Sequence, residues 1–189
     1  MKKAKKGSGI ILTALFAALI SAGCFIHIPL PGGIPIVLQD MMAMLSGLLL
    51  GPVYGAAAVL IFLILGCIGL PVFSGAAGIN VLIAGPTGGF LFGYLLSAAA
   101  GGLFLSLLLP RDKTHGTAKS YALIIAAAFL ATIVLFVAGI IGFMAVTHSD
   151  LAKTLAAVLI PFIPGNLIKI AVMVLLTKKF RPLITNYLS

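Results

Sequence analysis

Residues Ser120 to Val146 read SYALIIAAAFLATIVLFVAGIIGFMAV, 27 consecutive positions without a charged side chain. At about 1.5 Å per residue, a helix of this length crosses a hydrocarbon layer about 30 Å thick. The rest of the chain shares its character. Of 189 residues, 62% are hydrophobic and 8% charged, and 12 Lys and Arg stand against 3 acidic residues, a formal charge of +9. A soluble domain is about one-quarter charged, and a basic nucleic-acid binder spreads Lys and Arg over one face without emptying the remainder of polar residues. Lipid is therefore the solvent for most of this chain, and nucleic acid is not among its expected partners.

Working outward from that stretch, helices are expected near 10–28, 36–52, 54–70, 86–109, 120–146 and 155–177. Gly51-Pro52, Leu70-Pro71 and Pro110-Arg111-Asp112-Lys113 separate neighbours, because proline and charge both oppose continuing a helix through lipid. Six spans put both termini on one side. Lys2, Lys3, Lys5, Lys6, Arg111, Lys113, Lys119, Lys178, Lys179 and Arg181 then share a face, ten of the 12 basic residues, and the excess of Lys and Arg in cytoplasmic loops makes that face the inner one. The expectation is an all-α integral membrane protein of six transmembrane helices, a single domain over 1–189, lodged in the cell membrane with both termini cytoplasmic. The lysines before Ile10 to Ile26 have the outline of a signal peptide, and Ala22-Gly23-Cys24 that of a lipoprotein cleavage site. Ser21 stands where such a site wants Leu, and the chain beyond Cys24 is more membrane segment, so this stretch is read as a retained first helix.

Three segments on the outward side depart from plain connectors. Ile28-Pro29-Leu30-Pro31-Gly32-Gly33-Ile34-Pro35 carries three prolines and two glycines but almost nothing polar. Proline lowers the entropy cost of holding one shape, and an apolar loop at membrane depth must pack on protein, so the segment reads either as a lid over a cavity or as a structural turn. Gly69 to Asn80 leads into Gly85-Pro86-Thr87-Gly88-Gly89-Phe90, where glycines and a helix N-terminus free backbone N–H groups for an anion or carbonyl, or else make a tight turn with close helix packing. It lacks the Lys of a P-loop, so no ATP site is expected in this chain. Pro161 to Lys169 interrupts the run that becomes the last helix.

Lys169 lies nine residues before Lys178, about 13 Å deeper than the inner edge at helical rise. An ionisable side chain inside a span costs about 3 kcal/mol or more, so by default it faces the bundle interior and marks function. Asn166, three residues earlier, is read onto the same helical face. Asp40, beside Gln39, either pairs with Lys169 or meets water. His27, His115 and His148 lack metal-ligand spacing, and no metal is expected. Three Asp, no Glu and scattered His assemble no nucleophile, base and orienting acid, which argues against an enzyme. Cys24 and Cys67 have no CxxC spacing and read as small packing residues. Ala14, Ala18 and Ala22 on the first helix recur at intervals of four, a spacing that lets another helix approach closely in lipid.

Taken in order, Pro29-Leu30-Pro31-Gly32-Gly33-Ile34-Pro35 with Leu38-Gln39, Gly51-Pro52 with Gly55, Gly66 to Phe73, Gly85 to Phe90, and Ile163 to Lys169 resemble the BioY family, the biotin-specific substrate-binding (S) components of energy-coupling factor (ECF) transporters. The resemblance covers nearly the whole chain. It implies an S-component bundle that captures biotin on the outer side under the 28–38 lid, with no cofactor of its own. It implies as partners a transmembrane coupling protein, met by Ala14 and Ala18, and two ATPase subunits. By position it implies that Asn80 and Lys169 contact the ligand, and that Gln39, Phe73, Thr87, Gly88 and Gly89 line its pocket. Ile34 would pack on the apolar bicycle, and Asn166 and Asp40 would complete the polar set. Asn166 stands where the family pattern usually has Asp, and Phe90 where it usually has Tyr. The alternatives are an S component for another vitamin, or a small membrane protein without a ligand.

Overall fold

The computed structural model describes residues 2–28, 36–110 and 117–188. Among them the chain is almost wholly helical: α1 (Lys2–Ala22), α2 (Gln39–Leu50), α3 (Pro52–Cys67), α4 (Ile79–Ala84), α5 (Gly88–Leu108), α6 (Thr117–Thr147), α7 (Leu151–Val158) and α8 (Ile163–Leu188). A two-residue antiparallel ladder pairs β1 (His27–Ile28) with β2 (Ile36–Val37), His27 facing Val37 and Ile28 facing Ile36. This ladder closes the stem of the proline-rich segment expected as a lid. Residues 29–35, Ile34 among them, lie outside the described residues.

Four stretches are long and apolar enough to cross a membrane, Gly7–Phe25, Gly88–Leu108, Ala118–Thr147 and Leu151–Thr185. The protein is a multi-pass, all-helical membrane protein. Two segments expected as full spans are shorter, α2 with 12 residues and α3 with 16. Gly51, at φ 88° and ψ 179°, ends α2, and Pro52 opens α3 where its missing N–H leaves no bond unmade. The expected last helix from 155 is instead α7, a 3₁₀ turn over Ile160–Phe162, and α8, which continues through Pro182 to Leu188. Pro161 sits in the turn, and Pro164 falls in the first turn of α8, where proline is tolerated.

Every residue of α2 except Met42 is buried, so this short helix is the central post and presents almost no face to lipid. Its neighbours reach it through glycine. A Cβ on Gly102 of α5 would lie 2.7 Å from the Gly47 carbonyl and 2.9 Å from the Pro52 nitrogen, and one on Gly47 would strike the backbone of Ala98. Gly89 and Gly142 hold α5 against α6 in the same way, a Cβ on Gly89 falling 2.7 Å from the Gly142 Cα. Close backbone approach of this kind is how helices gain packing contact in lipid, where apolar side chains alone confer little preference.

The contacts define two ends. At one, Thr13 donates to the Gly9 carbonyl at 2.8 Å, the Arg181 guanidinium donates to the Leu109 and Leu105 carbonyls at 2.9 and 3.2 Å, and Lys178 lies over the Tyr121 ring. Arg181 thereby caps the C-terminus of α5, where a cation is favoured. At the other end the Gln39 amide donates to the Val72 and Ile20 carbonyls at 2.6 and 3.2 Å, bracing α1, α2 and the segment after α3.

Candidate ligand-binding site

The braced end holds a buried ion pair. Asp40 opens α2 and Lys169 stands a turn and a half into α8, each side chain 9% exposed. The Lys169 Nζ donates to Asp40 Oδ2 at 2.7 Å, to Asp40 Oδ1 at 2.8 Å and to the Val37 carbonyl at 2.7 Å. An ammonium has three donors, so all three are used. Asp40 Oδ1 also accepts the Met41 N–H at 2.7 Å. One cluster therefore ties α8 to the start of α2 and to the stem of the 28–38 segment. Removing either charge alone would strand the other in a dry setting, which costs about 3–5 kcal/mol.

Asp40 borders a cavity of about 40 Å³ walled also by Phe73, Thr87, Phe90, Tyr94, Phe136 and Phe162. Its rings stack edge to face in a chain, Phe90 on Phe136 with centroids 6.0 Å apart and Phe136 on Phe162 at 6.2 Å, while Phe73 meets Phe62 at 5.5 Å. Glycine gives two of these rings their seats. A side chain on Gly66 would strike Phe73, and one on Gly139 would strike Phe90. Phe73 reaches the wall through a tight turn in which Ser74 and Gly75 take φ of 53° and 88° and Phe73 and Ala76 exchange both backbone hydrogen bonds at 3.0 Å. Glycine adopts that conformation freely but serine does not, and strain of this sort gathers at functional sites. The result is an aromatic box with one carboxylate and a few hydroxyls, the chemistry of a site for a mostly apolar ligand with a polar edge.

Of the residues expected at the site, Asp40, Phe73 and Thr87 border this cavity, and Lys169 stands behind its wall, bonded to Asp40 and to the carbonyl of Val37, which also borders it. Gln39 is fully buried and braces α1 against the segment after α3, its Oε1 without a hydrogen-bond partner. Gly88 packs against the Leu82 carbonyl and Gly89 against α6, so both serve helix approach. Asn80 is exposed on the first turn of α4. Asn166 does not share a partner with Lys169. Its Nδ2 donates to the Phe162 carbonyl at 2.8 Å, its Oδ1 is buried without a partner, and it borders a separate apolar groove of about 330 Å³ between α6 and α8. That groove is larger than the cavity, and Thr132 and Asn166 are the polar residues in an otherwise apolar lining. Ala14, Ala18 and Ala22 are exposed along α1. No group of three or more His, Cys, Asp or Glu suited to a metal occurs among the described residues.

Tyr94, Ser74 and Phe136 are cavity residues that sequence reasoning missed. A single tyrosine inside the apolar span 88–108 was the available signal, since a buried tyrosine needs somewhere for its hydroxyl.

The profile of the BioY family matches residues 1–186. The chain belongs to the BioY family. Among BioY proteins, the biotin transporter of Rhodobacter capsulatus is 37% identical over 185 residues, covering 92% of this chain and 94% of that protein. The biotin transporter of Thermotoga maritima is 34% identical over 174 residues, covering 92% and 96%. The fold matches a 2.1 Å crystal structure of the S-component for biotin from an ECF-type ABC transporter, with a TM-score of 0.83 and 31% identity over 96% of this chain and 94% of that one. BioY membership makes this chain a transporter component and not an enzyme.

Proposed function

We infer that the chain is the biotin-binding S component of an ECF-type importer, one that captures biotin at the outer face and passes it inward with a separate transmembrane coupling protein and two ATPase subunits. The observation that carries this is end-to-end similarity to an S-component for biotin, at a TM-score of 0.83. Six membrane crossings with both termini inside fit the separation of ends. Arg181 and Lys178 gather at the end opposite the cavity, and basic residues favour the cytoplasmic side. Ala14, Ala18 and Ala22, small and exposed on α1, are the proposed docking stripe for the coupling protein.

In this reading Phe73, Phe90 and Phe136 enclose the bicycle and tail of biotin, and Asp40, Thr87 and Tyr94 face its polar atoms. Gln39 and Lys169 brace the elements around that box, Gly88 and Gly89 let its helices approach, and Asn80 stands on the turn of α4 that precedes Thr87. A ligand pocket holds about 300 Å³ or more, against about 40 Å³ here. Biotin therefore enters by parting the walls, and the Lys169 bond to Val37 couples that movement to the stem of the 28–38 segment.

Calorimetry on the detergent-purified chain with biotin, desthiobiotin and riboflavin tests the assignment, Trp being absent and fluorescence therefore weak. Saturable binding of biotin near one per chain, with none of riboflavin, is the expected result. Preference for riboflavin, or no binding by a folded chain, would remove biotin from the account. Ligand at about 100 times its dissociation constant should also raise stability by about 2.7 kcal/mol.

A further inference from the structure

Resting on the biotin reading, we propose that Phe136 is the movable wall of the site: its ring turns into the apolar groove between α6 and α8 when biotin enters, and the space it leaves is added to the cavity. Among the described residues, Phe136 is common to both linings, that of the cavity of about 40 Å³ and that of the groove of about 330 Å³. Thr132, Ile133, Val137 and Ile140 line the groove from α6, and all stand within four residues of Phe136, so the groove runs along the flank of the helix from which the ring projects. A helical phenylalanine has two favourable χ1 positions, and one rotation carries the ring between them without moving the backbone.

The other rings of the box have no such space. Phe73 stands against Gly66 and Phe90 against Gly139, so close that a Cβ on either glycine would strike the ring, and Phe62 meets Phe73 at 5.5 Å. Those rings have helix backbone at their backs. Phe136 has Phe90 and Phe162 as edge-to-face neighbours, at 6.0 and 6.2 Å, and the groove on its far side, where Ile133, Val137 and Leu167 are exposed. In water such a turn would bare an apolar ring. In a membrane the groove opens on lipid chains, which yield to the ring and are as apolar as the wall it leaves. The apolar body of the ligand then takes over the ring's contacts with Phe90 and Phe162, and Phe136 bounds the enlarged site from its outer side.

The test fills the groove from the lipid side. Ile133→Trp puts a large side chain into the groove from an exposed position that does not border the cavity. With the turned position obstructed, the binding-competent fraction falls, and calorimetry on the full-length chain in detergent should read biotin binding weakened by about tenfold. Phe136→Leu removes the ring that needs the groove. In that background Ile133→Trp should weaken binding by about twofold or less, whatever Phe136→Leu itself does to affinity, because the two positions are coupled. An equal loss in both backgrounds would mean that Ile133→Trp acts on packing in general, and no loss in either would mean that the ring stays in the wall. Both results overturn the proposal and leave the biotin reading standing. Failure of the unaltered, folded chain to bind biotin overturns both.

Should Ile133→Trp fail to fold, the ring is followed directly. Para-fluorophenylalanine is placed at position 136, or at position 73 as a control, and fluorine NMR is recorded with dissolved oxygen, which concentrates in the apolar part of the micelle and speeds relaxation of groups that face it. Biotin should raise the oxygen-induced relaxation at position 136 and not at position 73. No rise at position 136 on saturation with biotin overturns the proposal.

Discussion

The seam where α2, α3 and α5 meet and the end that carries Asp40 are built by opposite means. In the seam, Gly47, Gly55 and Gly102 bring main chain against main chain, a Cβ on Gly55 meeting the Gly47 nitrogen at 2.7 Å. Nothing there can turn aside. At the Asp40 end, beside the glycine contacts of Gly88 and Gly89, side chains make much of the packing, a Lys–Asp pair, a Gln brace and a chain of aromatic rings, each with rotatable bonds. The seam fixes the frame of the bundle, and the Asp40 end is the one whose side chains can turn, which is where the proposed site lies.

The widest expected contrast is a side chain placed in the seam. Gly47→Val would drive a branched side chain into the Ala98 backbone, where no rotamer offers escape. Overpacking costs about 1–3 kcal/mol where side chains can yield, and here the obstacle is main chain, so loss of the folded, monodisperse protein is expected on size-exclusion chromatography and circular dichroism. A variant that folds and melts as the unaltered chain does would mean that α2 and α5 slide apart easily and that the frame is softer than the geometry implies.

The next contrast concerns the ion pair. Lys169→Met alone leaves Asp40 buried and unpaired, as Asp40→Asn alone leaves Lys169, and each should lower stability by about 3 kcal/mol. Removing both together should restore most of that loss, because well-packed neutral replacements of a buried pair are often neutral or stabilising. Thermal melts of the three variants give the answer. Additive losses in the double variant would mean that each residue has partners more important than the other.

Much of this was legible in the sequence, and the exceptions have physical causes. Long apolar runs such as 120–146 announce themselves by length, and α5 and α6 fall where they were expected. The short α2 and α3 were overextended because composition does not distinguish burial in protein from burial in lipid, and α2 is sheathed by protein. Pro161 was legible as an interruption, but the separate helix α7 was not, since eight residues lie below the length at which a span declares itself. Asp40 with Lys169 was one of two open readings, and the structure selects it. Asn166 illustrates the limit of helical spacing. Residues three apart differ by about 60° around a helix, enough to send Lys169 to Asp40 and Asn166 to the groove against α6. Residues 29–35 bear the clearest sequence signature of a lid, and they lie outside the described residues.

A smaller effect is expected outside both regions. Ala14 and Ala18 are exposed on α1 and touch neither the seam nor the cavity. Ala14→Leu should change stability by no more than about 0.5 kcal/mol and leave biotin affinity unaltered in the isolated chain, while vitamin uptake by cells carrying the whole importer falls sharply. Uptake that survives Leu at both positions would remove this stripe from the docking surface.

The smallest effect sharpens the contrast within the polar end itself, between a buried carboxylate and an exposed one. Asp150 caps α7. Its Oδ1 accepts the Lys153 N–H at 2.8 Å and its Oδ2 lies 3.1 Å from the Lys153 ammonium. The backbone bond first, and the ammonium second, hold its carboxyl below the usual carboxylate range. A carboxyl depressed in the folded state adds stability above its unfolded value, and that contribution is lost as pH falls through the folded value. Acidification from neutral should therefore loosen the first turn of α7 while the rest of the helix endures. Hydrogen exchange at the Lys153 and Thr154 amides reads this directly: protection in the unaltered chain should exceed that in Asp150→Ala near neutral pH, and the two should converge in acid. Equal protection in the two proteins at neutral pH would show that the Asp150 backbone carbonyl, which accepts the Thr154 N–H at 3.0 Å, holds the turn without help from the side chain.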